Sequence, residues 1–181
     1  MAVFLIIVSV LFWAASLAAL PKRPLYAPAL SYIALIVLSF AKRDGFQLVP
    51  LNNTILIGWL CMSLVVMLAT MMQPAAVRVS TRGMGYMIGG ALTGMAVGLL
   101  GFSFSTSLPL LYGIMIVATA VGVFFGFLLW SRTPAGVGMR LPSQNFFRYL
   151  MAKGFPTAIT VMMIGVALVL VLALNVPQEM Y

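Results

Sequence analysis

The chain has 181 residues, of which 64% are apolar and only 7% are charged. A soluble domain carries about a quarter charged residues, so this chain has too few to cover a surface in water. Ten Lys and Arg against two Asp and Glu give a net charge of +8, but the cations occur singly or in pairs between apolar stretches. Membrane-flanking cations are distributed in this way, whereas nucleic-acid-binding proteins gather cations on one face. The composition therefore predicts an integral membrane protein that binds no nucleic acid.

Six apolar stretches follow one another and predict an all-α fold: a bundle of six transmembrane helices in a single transmembrane domain, residues 1–181. About 20 apolar residues cross the hydrocarbon core of a bilayer, with a range near 17–25. The second stretch is shorter than this range and needs its flanking residues to cross. The stretches are residues 2–20, 26–41, 54–72, 84–104, 108–130 and 155–174.

The cations predict how the chain is oriented in the membrane. A cleaved signal peptide begins with positive charge, but here Lys22 and Arg23 follow the first apolar stretch, which favours a retained helix. Cytoplasmic loops collect Lys and Arg, and the second connection holds only Lys42 and Arg43. The first, third and fifth connections hold the remaining cations, Lys22, Arg23, Arg78, Arg82, Arg132, Arg140, Arg148 and Lys153. We therefore expect these connections in the cytoplasm and both termini outside it, in a bacterial inner membrane.

The fourth apolar stretch is rich in glycine, which weakens a helix in water by roughly 1 kcal/mol relative to alanine. Residues four apart share a helix face, and a face without side chains lets another helix approach closely in lipid. The candidate packing residues of this glycine zipper are Gly85, Gly89, Gly90, Gly94 and Gly98 in the fourth stretch and Gly122 and Gly126 in the fifth. The pattern fits packing within the chain, an oligomer interface, or a helix that moves during transport.

The fifth connection predicts a short amphipathic helix in the inner membrane interface, just before the last transmembrane helix. Its apolar residues are Phe146, Phe147, Leu150 and Met151. We expect its cations, Arg148 and Lys153, to face anionic headgroups from the other side. An ordinary connector, or an extension of the last helix by one turn, is the alternative.

The side chains that carry most enzyme chemistry are scarce. The chain has no histidine and one cysteine, and no Asp or Glu lies in an apolar stretch. General acid–base catalysis and metal binding depend on these residue types, so we expect no enzyme activity, no cofactor and no metal site. A hydroxyl-rich segment follows the glycine-rich stretch and either caps the next helix or forms a ligand site; it comprises Ser103, Ser105, Thr106 and Ser107.

Two functions fit these observations. The first is a non-catalytic membrane subunit or scaffold, whose glycine faces pack against other membrane chains or a second copy within the lipid bilayer. The second is a small transporter or membrane binding module for a neutral or apolar solute, such as a lipid, a quinone or a vitamin-like molecule. A strongly charged solute is disfavoured, because a buried ion needs compensating groups.

Overall fold

The computed structural model describes residues 2–43, 46–47, 51–100, 108–139, 141 and 143–174. The regular secondary structure of these residues is helical apart from one pair of two-residue antiparallel strands, β1 (Lys42–Arg43) and β2 (Phe46–Gln47). The expected helical fold is thereby confirmed. The helices are α1 (Ala2–Ala19), α2 (Ala27–Ser39), α3 (Asn53–Met71), α4 (Ala75–Val79), α5 (Met84–Leu100), α6 (Leu108–Ser131), α7 (Gln144–Tyr149) and α8 (Phe155–Leu174). A 3₁₀ segment (Pro134–Met139) follows α6, and a π-helical turn (Leu150–Gly154) joins α7 to α8.

Local sequence signals account for several helix starts. The side chain of Asn52 accepts a hydrogen bond from the backbone nitrogen of Thr54 at 3.4 Å, and it caps α3. Ser143 caps α7 in the same way, because its hydroxyl accepts from the backbone nitrogen of Phe146 at 3.1 Å. Pro28 stands in the first turn of α2, where its missing N–H costs no hydrogen bond.

Among the described residues, three helical segments are long and apolar enough to cross a membrane: Asn53–Met71, Leu110–Ser131 and Gln144–Val171. This fits an integral membrane protein with lipid around its apolar helices. Three further apolar helices, Val3–Ala19, Ala27–Ser39 and Met84–Leu100, are shorter. The shortest is α2, whose 13 residues rise about 20 Å at ~1.5 Å per residue, less than the hydrocarbon thickness of about 30 Å.

The centre of the bundle is α8, which packs against α2, α3, α5 and α6. Within Gln144–Val171, 78% of an 18-residue apolar stretch is buried inside the protein, against 17% of the corresponding stretch of Asn53–Met71. Ser31 of α2 donates a hydrogen bond to the carbonyl oxygen of Thr160 of α8 at 3.2 Å, and both residues are fully buried. The last helix is therefore the core around which the others stand, and α3 lies at the edge.

The first, third and fifth connections meet at one end of the bundle. The ammonium of Lys153 donates a hydrogen bond to the carbonyl oxygen of Pro21 at 3.0 Å. The hydroxyl of Tyr149 donates to the carbonyl oxygen of Arg82. These two bonds tie the segment before α8 to the α1–α2 connection and to the start of α5.

Gly83 opens the turn into α5, and its φ of 75° favours glycine. An added Cβ would also lie 2.5 Å from Cδ2 of Trp130. We expect Gly83→Ala to lower the free energy of unfolding by at least about 1–2 kcal/mol, since the left-handed conformation alone costs that much. Gly85→Ala is the matched control, because Gly85 is helical and an added Cβ would meet nothing within 4 Å.

Gly85→Ala should raise the free energy of unfolding by up to ~1 kcal/mol through helix propensity. Denaturation of both variants in detergent micelles measures the difference. Equal effects of the two substitutions would contradict the assigned role of Gly83.

Candidate functional site

Among the described helices, α5 and α6 make the most extensive contact, and they meet along a seam of small residues. A Cβ added to Gly90 would collide with the carbonyl oxygen of Gly122, and one added to Gly94 would collide with that of Ala118. A Cβ on Gly98 would lie 2.6 Å from Cα of Met115. The two backbones are in direct contact, so each of these positions has room for hydrogen alone.

The glycines of α6 take part in the same seam from the other side. A Cβ on Gly122 would collide with the carbonyl oxygen of Gly90, and one on Gly126 with that of Tyr86. Five of the seven glycines singled out from the sequence thus lie where the two helices touch within one chain. The remaining two, Gly85 and Gly89, do not: an added Cβ at either position would meet nothing within 4 Å.

Gly85 and Gly89 line an open groove that follows the outer side of the seam. The groove has a volume of about 500 Å³. Its lining is Gly85, Tyr86, Gly89, Gly90, Thr93, Gly122, Phe125, Gly126 and Leu129. Its floor is therefore glycine backbone, and its larger side chains are mostly apolar.

The one aliphatic hydroxyl in the groove lining is bonded to its own helix. Thr93 donates toward the carbonyl oxygens of Gly89 and Gly90, each at 3.0 Å. A threonine bonded in this way has little donor capacity left for a ligand. The groove is suited to an apolar occupant that makes close contact with backbone.

The segment predicted as an interfacial helix continues into α8 through the π-helical turn, so residues 144–174 form one helical run. Phe147, Arg148 and Met151 are exposed, and Leu150 is half-buried. Phe146 and Lys153 are fully buried. The structure differs from the expected outward position of Lys153: seven residues are close to two helical turns, so Lys153 is buried on the same side of the run as Phe146.

Phe146 belongs to an aromatic cluster at the same end of the bundle as the Lys153–Pro21 bond. The ring of Phe127 stacks on that of Tyr149 with centroids 5.3 Å apart, and lies 4.6 Å from that of Phe146. Trp130 stacks on Phe127 at 5.7 Å. This cluster fixes the segment before α8 against α6.

The buried ammonium of Lys153 has a neutral partner. Its hydrogen bond goes to the carbonyl oxygen of Pro21, and the described part of the chain contains no Asp or Glu. Burying an ammonium without a carboxylate partner is costly, and its hydrogen bond to the carbonyl oxygen of Pro21 offsets part of that cost. It fixes the α1–α2 connection, which carries Lys22 and Arg23.

The hydroxyl-rich candidate site, Ser103, Ser105, Thr106 and Ser107, lies outside the described residues. Among the residues that are described, no three His, Cys, Asp or Glu side chains come together as metal ligands would. Cys61 is exposed on α3 with a free thiol.

Sequence reasoning missed a second cavity of about 390 Å³, which brings cations from two connections together. Lys22 and Arg23 come from the α1–α2 connection, and Arg78 comes from α4. The separate pairs of cations were visible in the sequence, but no pattern there indicates which connections meet in space.

Comparison with protein families, with characterised proteins and with solved structures gives no match to this chain.

Proposed function

We propose that this chain is a non-catalytic integral membrane subunit, whose α5–α6 groove receives a transmembrane helix of another chain. The observation that carries the proposal is the pair Gly85 and Gly89, which face open space. Contact between α5 and α6 accounts for Gly90, Gly94 and Gly98, but not for these two. An external helix that approaches the α5 backbone supplies the missing reason for glycine here.

The physical properties of the groove support a helix as its occupant. Association of helices in lipid depends on close van der Waals contact, which small residues permit. Phe125 and Leu129 flank the glycine floor on the α6 side, so a second helix would gain contact with large side chains as well as backbone. The partner is therefore an apolar helix with bulky side chains directed at the glycine floor.

The proposal includes the membrane topology predicted from the sequence. Six helices cross the bilayer, with the shorter ones completed by flanking residues, and the segment before α8 lies near the inner interface. The hydrogen bonds Lys153–Pro21 and Tyr149–Arg82 support this topology, because they place the first, third and fifth connections at one end. By the distribution of cations that end is cytoplasmic, and both termini are outside.

Larger side chains that fill the groove test the proposal. The double variant Gly85→Leu/Gly89→Leu should fold, since both positions are open, and should lose its partner chain. We expect at least a tenfold drop in the fraction of tagged protein that carries a stoichiometric partner, corresponding to ~1.4 kcal/mol or more. Native mass spectrometry after gentle extraction from the native membrane measures this fraction and shows whether the partner is a second copy.

Gly113→Leu is the matched control for the filled groove. Gly113 is an exposed glycine of α6, and an added Cβ there would meet nothing within 4 Å. It does not line the groove. Retention of the partner by the double variant, or equal loss in Gly113→Leu, would contradict the proposal.

A second candidate function, a binding module or transporter for a neutral apolar solute, is favoured by the size of the groove. Ligand sites are commonly about 300–1,000 Å³, and this groove has about 500 Å³. The internally bonded Thr93 hydroxyl favours an apolar solute such as a lipid or quinone. The same mass measurement separates the two functions, because a solute adds a few hundred daltons and a partner chain adds far more.

A further inference from the structure

The cavity between the α1–α2 connection and the α3–α4 region has a concentrated positive charge. Lys22, Arg23 and Arg78 line a volume of about 390 Å³. The part of the chain that the structure describes contains no Asp or Glu to neutralise them. Three cations around one cavity create a positive potential that attracts a negatively charged ligand.

The side chain of Arg78 provides a second observation that indicates a ligand. Its Nε atom is buried and has no hydrogen-bond partner among the described residues. A buried donor without an acceptor is destabilising. Guanidinium binds phosphate through parallel N–H donors, so a phosphate oxygen that reached this nitrogen would both satisfy the donor and neutralise the charge.

The connection that carries Lys22 and Arg23 is held in place before any ligand binds. Lys153 donates to the carbonyl oxygen of Pro21 at 3.0 Å, and the backbone nitrogen of Arg23 donates to the carbonyl oxygen of Ala19 at 2.7 Å. Less ordering is then needed on binding, which favours affinity.

The remaining walls of the cavity indicate the source of the phosphate. Leu25, Tyr26 and Val79 line it beside the cations, and Tyr26 and Val79 are exposed. The cavity lies where α1 ends and α2 begins, at the end of the apolar helices. A phosphate attached to apolar chains matches cations and apolar side chains in this arrangement, and basic pockets between membrane helices bind such headgroups.

We propose that Lys22, Arg23 and Arg78 form a binding site for the phosphate headgroup of an anionic phospholipid. The site is independent of the α5–α6 groove and uses different helices.

The test compares lipid retention by the purified full chain in nonionic detergent. Phosphatidylglycerol and phosphatidylcholine are added in equal amounts, and native mass spectrometry counts the lipids that remain bound. We expect the protein to retain one molecule of phosphatidylglycerol. The fraction of protein that carries it should be at least tenfold larger than the fraction that carries phosphatidylcholine. Each cation near an anionic headgroup contributes ~1 kcal/mol, so Arg78→Gln should weaken retention about fivefold, and Lys22→Gln/Arg23→Gln more than tenfold.

Arg132→Gln is the matched control, because Arg132 is an exposed cation that does not line the cavity. It should retain phosphatidylglycerol as the unmodified chain does. Lys22 and Arg23 are exposed, so their double variant tests the site even if Arg78→Gln fails to fold.

Three results would overturn the proposal. The first is equal retention of the two lipids, and the second is a loss in Arg132→Gln as large as that in the cavity variants. The third is displacement of phosphatidylglycerol by millimolar inorganic phosphate but not by chloride at equal ionic strength, which would identify a site for free phosphate.

Discussion

Gly94→Leu is expected to prevent the bundle from folding into a single compact species. The Cβ of leucine would collide with the carbonyl oxygen of Ala118, and the rest of the side chain has no space between the two backbones. Overpacking of a well-packed core costs about 1–3 kcal/mol, occasionally more, and here the clash is with backbone that cannot rotate away. We expect a loss above ~3 kcal/mol, measured as the free energy of unfolding in detergent micelles, with aggregation visible in size-exclusion chromatography.

Gly89→Leu is the matched control on the same helix. Its added side chain enters the open groove, where a Cβ meets nothing within 4 Å. In the isolated chain this variant should remain monodisperse and at least as stable as the unmodified protein. Equal stability of Gly94→Leu and Gly89→Leu would show that α5 and α6 are not in contact at Gly94.

Phe127→Ala is expected to have the second large effect, a loss of about 3–5 kcal/mol, the range for removing a buried aromatic ring. The ring of Phe127 is fully buried. It contacts Phe146 and Tyr149 on the segment before α8, with centroids 4.6 Å and 5.3 Å away. Its removal leaves a cavity where α6 meets the central helical run.

Phe125→Ala removes the same group two residues away, where the ring is 56% exposed. It should change the free energy of unfolding of the isolated chain by less than ~1 kcal/mol, as exposed substitutions usually do. Chemical unfolding of both variants, followed by tryptophan fluorescence, makes the comparison. A larger loss in Phe125→Ala than in Phe127→Ala would refute the assigned packing of α6.

The helical class of the chain could be predicted from its sequence because composition alone requires it. Few charges and long apolar stretches leave the backbone no water to bond with, and helices satisfy backbone groups internally. The central position of α8 could not be predicted in this way. A helix that is apolar on all sides is surrounded either by protein or by lipid. The sequence of Phe155–Leu174 is compatible with both environments.

The sequence could not show which glycine face packs against another helix, for a related reason. Gly89 and Gly90 are adjacent in the chain, so they point about 100° apart on the helix. One lies at the edge of the open groove and the other against Gly122. Spacing identifies the faces that permit close approach, but it contains no information on which face another helix takes.

Lys153 shows how residue type can mislead a prediction. Its charge suggested an outward position, whereas its place two turns after Phe146 put it on the buried face. Helical geometry outweighed the cost of burying the ammonium, with the carbonyl oxygen of Pro21 as its acceptor.

The central place of α8 has a consequence for biogenesis. Ribosomes make the chain from its amino end, so α1 to α6 are synthesised before the helix around which they stand. Assembly of this bundle is therefore completed by a late event, because the contacts of α2, α3, α5 and α6 with α8 can form only after residues 144–174 have been synthesised.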